Sequence, residues 1–152
     1  MATVTSGVYP VYGIGFKVGK NGLASAEADM VGIKDMETLT FKISGKTEDW
    51  NPLDAGGWAR HLMTSKDLTI TLKGKRSVGD PGNDYIAGVA WKDGLDCSSK
   101  FEIDFPDGSK LEFPCIIDVT NPGGGDSASA SGLEFDAKCD GKPTYTAAPV
   151  GP

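Results

Sequence analysis

Along TLTFKIS, residues 38–44, apolar and polar side chains alternate, so that Leu39, Phe41 and Ile43 share one face and Thr40, Lys42 and Ser44 the other. A half-buried strand imposes this period of two, because successive side chains leave it on opposite sides. The stretch KDLTITLKGK (66–75) repeats the pattern, with Leu68, Ile70 and Leu72 opposite Thr69, Thr71 and Lys73. In KFEIDFPDGSKLEFPCIIDVT (100–120), Phe101, Ile103 and Phe105 alternate with charge, and Leu111, Phe113, Cys115 and Ile117 form a second such run. The Pro106-Asp107-Gly108-Ser109 stretch between them predicts a β-hairpin. SGLEFDAKCDG (131–141) predicts a closing strand, and GIGFKVGKNG (13–22) a shorter one weakened by its glycines. NPGGGDSASAS (121–131) reads as a loop and TAAPVGP (146–152) as a loose tail.

One helix is predicted over 81–91. Asp80 is placed to cap it, Pro81 suits its first position, Asp84 favours its positive end, and Ile86, Val89 and Ala90 supply an apolar face before Gly94 stops it. The preceding KGKRSVGDPGND has the basic residues and close glycines of a phosphate cradle. A phosphate there would compete with the Asp80 and Asp84 carboxylates for the same backbone donors, so none is expected. Gly45-Lys46-Thr47 echoes the end of a P-loop, but Thr40 stands where its first glycine belongs and the tripeptide lies in a strand. GGGD at 123–126 is a single copy without a repeat period and reads as turn chemistry.

The segment that breaks the pattern is DWNPLDAGGWARHLMTSK (49–66), read as a long loop between two strands. Connections of this length are usually functional or disordered, and this one is rich in apolar side chains. Trp50, Leu53, Trp58, Arg60, Leu62 and Met63 either fold back on their own core or leave the domain and bury on a partner. Trp, Met and Arg are typical of interface hot spots, which favours the partner.

Composition narrows the class. At 152 residues, one domain spanning 1–152 is expected. The 21 acidic and 15 basic residues give a net charge of −6, contrary to a surface that neutralises many phosphates. The 21 glycines fit a turn-rich β protein. Cys97, Cys115 and Cys139 are widely spaced, and His61 is the sole histidine, so no zinc site is expected and the thiols read as free in a reducing cytosol. No leader and no membrane span is read from the sequence. His61 has no nucleophile or base partner at a recognisable spacing, and reads as an ordinary surface loop residue. No catalytic residue, cofactor or metal is expected, and the chain is not read as an enzyme.

The order of these pieces carries a resemblance. LTITLKGKRSVGDPGNDYI, the FPDGSKLEF hairpin, and VTNPGGGDSASASGLEF followed by DGKPTY are similar, in order and spacing, to the major tail proteins (tail tube proteins) of long-tailed phages, especially those of Gram-positive hosts. The likeness runs from about Gly15 to Tyr145. It implies an antiparallel β-sandwich or barrel with a flanking helix, and homo-hexameric rings stacked into a hollow conduit for DNA ejection, with residues 49–66 making subunit and ring contacts. It further implies a virion protein made in the host bacterial cytoplasm. Its expected partners are itself, a tape-measure protein and tail terminator or distal tail proteins, with DNA passing unbound and no membrane involved. No appended immunoglobulin-like domain is read, so decoration of the exterior is not expected. Strand alternation puts Glu102, Asp104, Glu112 and Asp118 on polar faces, which makes them candidates for the lumen wall. A tube subunit of a contractile tail or phage-like injection particle is the alternative, and a stand-alone β-sandwich binding module the more distant one.

Overall fold

The computed structural model describes residues 4–148. The expected mainly β, antiparallel fold with one flanking helix is what forms. Its strands are β1 (Gly15–Gly19), β2 (Met30–Gly32), β3 (Met36–Trp50), β4 (Arg60–Lys75), β5 (Ser98–Asp104), β6 (Lys110–Asn121), β7 (Gly132–Cys139) and β8 (Thr144–Thr146), with helix α1 at Pro81–Val89. They hydrogen-bond as one sheet in the order β2-β1-β5-β6-β7-β4-β3. The short β8 pairs with β6, continuing the track of β7 after residues 140–143.

This order dictates the shape. β2 and β3 are the two edges of the sheet, yet only residues 33–35 join them. Three residues span about 10 Å, so the sheet has to curl until its edges meet, as a barrel does. The inward faces then fill a single core. Phe101 packs on Phe113 and Phe135 at centroid separations of 5.8 and 6.4 Å, and α1 adds Ile86, Ala87 and Val89.

The helix start clasps this closure. Asp80 Oδ2 accepts from the N–H groups of Asn83 and Lys34, each at 3.0 Å. The fully buried Asn83 side chain donates to the carbonyls of Lys34 and Lys75, both at 3.0 Å. Its Oδ1 accepts from Arg76 Nη1 at 2.9 Å and Ser77 N at 3.0 Å. The link between the edges is thereby tied to the end of β4 and to α1. The approach is close enough that a Cβ on Gly82 would lie 2.1 Å from the Gly32 carbonyl oxygen, and one on Gly74 2.3 Å from that of Asp35.

Three expectations change. The connection read as a loop over 49–66 is only residues 51–59, because β3 runs to Trp50 and β4 starts at Arg60. His61 is therefore a strand residue, paired with Asp49 across β3 and β4. Residues 60–66 lie in a ribbon that no other strand among the described residues flanks, where both faces meet solvent. Thr146, placed in the loose tail, ends β8, and residues 149–152 of that tail lie outside the described residues.

Candidate assembly surface

Before Thr69, over residues 60–68, β4 pairs only with β3 among the described residues. The outer part of this hairpin is thus a two-stranded arm, about 25 Å long at roughly 3.3 Å per residue. Isolated hairpins are marginal in water, and this one relies on cross-strand contacts. Arg60 lies over the Trp50 ring at 5.8 Å from its centroid, His61 contacts the Asp49 carboxylate, and Thr64 Oγ1 donates to the Lys46 carbonyl at 3.1 Å. At the tip, Asn51 Nδ2 donates to the Gly57 carbonyl at 3.1 Å, and Gly56 and Gly57 take positive φ.

All six candidate interface residues lie on this arm, and all are exposed or nearly so. Trp58 is 79% and Leu62 58% exposed, while Leu53 at the tip is wholly so. Their side chains occupy both faces. The pairs Trp50 with Arg60 and Glu48 with Leu62 put Trp50, Arg60 and Leu62 on one side, and the pair Thr47 with Met63 puts Met63 on the other.

A second uncovered surface escaped sequence reading. Phe41 and Ile43 were placed on a half-buried face, but Ile43 is 68% exposed and Phe41 is only partly covered, stacked on Phe105 at 5.8 Å. With Leu68, Leu111 and Tyr145 they line an open apolar groove of about 740 Å³ where the arm leaves the barrel. The alternation that marks them is the same as that of a core strand. Only the three-dimensional sheet order shows that, among the described residues, nothing covers the end of this face.

The four carboxylates assigned to a polar wall do not behave alike. Glu102 is 2% exposed, which corrects its reading as a solvated side chain. It faces Glu112 directly across β5 and β6, and segment 25–30 lies beside it. Lys110 bridges the two, 2.5 Å from Glu102 Oε1 and 3.0 Å from Glu112 Oε1. Those hydrogen bonds, to Glu102 first, push the lysine pKa up. Asp104 is half-buried, whereas Asp118 is exposed, paired with Lys138 at 3.3 Å, and about 20 Å along β6 from Glu112. The four share a face, but not as an unpaired acidic stripe.

At the start of α1 the donors a phosphate would need are taken. The Asp84 carboxylate accepts from Gly79 N at 3.1 Å and from Arg76 Nη1 at 2.8 Å, in addition to the Asp80 contacts above. All three cysteines are free. Cys115 is buried, and burial pushes its thiol pKa up to about 12, so it is protonated at neutral pH. Thiol labelling at pH 8 is therefore expected to spare Cys115 until the protein is denatured, and rapid native labelling at this position would contradict its burial.

No protein-family model and no curated protein matches the chain. Solved structures do match. A chain from the tail of an empty gene transfer agent particle, refined helically with C6 symmetry, is 16% identical over 92% of this chain and 100% of its own, with a TM-score of 0.71. A chain from the virion of a native gene transfer agent particle gives 16% identity over the same shares and a TM-score of 0.68. A chain of the sheath-tube complex of an extracellular contractile injection system, in the extended state, is 13% identical over 94% of both chains, with a TM-score of 0.60. At such identities the likeness establishes the fold, which extends over the whole of the two gene transfer agent chains.

Proposed function

We propose that this chain is a structural subunit of a tail tube, assembling as hexameric rings that stack into a hollow conduit for DNA ejection. The observation that carries the reading is the uncovered apolar surface. A two-stranded arm with large apolar side chains on both faces, next to an open apolar groove, costs solvation in a free subunit and is relieved when neighbouring copies grip it. The fold shared with a chain from a C6-symmetric tail supports that occupant. Residues 50–63 then make the subunit and ring contacts, and the groove at Phe41, Ile43 and Tyr145 receives part of a neighbour.

The charge balance fits a conduit. Each phosphate contact releases counterions and steepens affinity, so a basic wall would hold DNA. A net charge of −6 works against that. Asp104, Glu112 and Asp118 remain candidates for the lumen wall, while the buried Glu102 does not. The subunit is made in the host bacterial cytoplasm and ends in the virion tail, with a tape-measure protein inside and terminator or distal tail proteins at the ends. The likeness to a chain from a sheath-tube complex favours a second reading, a tube subunit of a contractile particle.

Negative-stain microscopy of concentrated protein tests the reading. Rings or tubes with six-fold end views are expected. A monodisperse monomer at high concentration would instead favour a stand-alone binding module.

A further inference from the structure

Glu27, Glu102 and Glu112 each bring a carboxylate oxygen within 4.8 Å of the other two. They line an open cavity of about 500 Å³ formed where segment 25–30 lies over β5 and β6. Two of the three face each other as a register pair, an arrangement that repels unless a cation intervenes. Lys110 supplies one positive charge to that pair. Lys100 also lines the cavity, its Nζ donating to the Ser25 carbonyl at 2.9 Å, so three carboxylates face two ammonium groups and one negative charge is left over. The deciding feature is Glu102. Its side chain is buried, and its Oε2 has no hydrogen-bond partner, a costly state for a charged group.

Segment 20–29 is built to hold the third carboxylate in place. Ser25 Oγ donates to the Gly22 carbonyl at 2.7 Å and accepts from Asn21 N at 3.0 Å, and Asp29 Oδ2 accepts from Ala26 N at 3.0 Å. Glu27 is thus presented from a fixed turn. We propose that this cavity is a divalent-cation site, with Glu27, Glu102 and Glu112 as oxygen ligands and water completing the shell. Three carboxylates and a roomy, open cavity suit calcium, which accepts six to eight oxygens in flexible geometry, better than magnesium, which demands a tight octahedron. The site pins segment 20–29 to the barrel and stands apart from the arm, so it is independent of the tail-tube reading.

The test is thermal unfolding of the chelated full chain with and without 10 mM calcium chloride, at matched ionic strength, beside isothermal titration with calcium. For dissociation constants of about 0.1–1 mM the midpoint should rise by about 3–10 °C. Magnesium should give less. Glu102→Gln keeps the shape and removes a charged ligand, and Glu27→Gln alters an exposed side chain, so at least one folds; each should reduce the rise to about 1 °C or less. No rise and no binding heat in the unaltered chain would overturn the proposal, as would an undiminished rise in Glu27→Gln.

Discussion

Leu62→Asp should leave the isolated subunit folded, with its unfolding free energy unchanged to within about 1 kcal/mol, and should abolish rings and tubes. Leu62 is exposed on the outer part of the arm, away from the core, and it faces Glu48 across the ribbon. Surface substitutions away from caps and cores usually cost little stability. At an interface the same change buries a charge next to another carboxylate. Losing one hot spot costs about 2 kcal/mol or more, roughly 30-fold in affinity, and a ring repeats the loss at every contact. Trp58→Ala should act in the same direction by truncation alone. Circular dichroism and analytical ultracentrifugation separate the two effects. Normal tubes from Leu62→Asp would remove the arm from the interface, whereas global unfolding would mean that the arm supports the barrel.

What was legible in the sequence follows from what a period can report. The β4, β5, β6 and β7 alternations mark buried faces because their neighbours cover them on the inside of the curl, and Ile70, Phe101 and Phe135 are fully buried. The helix start was legible because capping is local, with Asp80, Pro81 and Asn83 within four residues. The β2 and β8 strands were not, since three residues are too short to carry a period. Burial of Glu102 was equally hidden. Its sequence neighbours say only that it shares a face with Asp104, and the cover comes from a segment more than seventy residues earlier. The arm shows the limit from the other side. Residues 60–66 lack a buried face to enforce alternation, so their strand state rests on backbone pairing with β3, which leaves no mark on side-chain pattern.

Asn83→Ala should be among the most destabilising single substitutions in the chain, although it removes only a small polar side chain. Asn83 uses both its donors and its acceptor, joining the 33–35 link, the end of β4 and the loop before α1. Alanine leaves the Lys34 and Lys75 carbonyls and the Ser77 N–H without these partners at a fully buried position. At about 1–3 kcal/mol for each unsatisfied buried group, partly relieved by water, the loss should total roughly 3–5 kcal/mol. For a domain of this size that lowers the unfolding midpoint by about 10 °C or more. Asp84→Asn is the comparison, because it weakens the Arg76 ion pair at a partly exposed carboxylate. Exposed pairs are worth about 1 kcal/mol or less. If closure of the sheet depends on the clasp, Asn83→Ala should also speed hydrogen exchange in residues 30–39 and 72–77 ahead of global unfolding. A loss no larger than that of Asp84→Asn would mean that apolar packing alone holds the edges together.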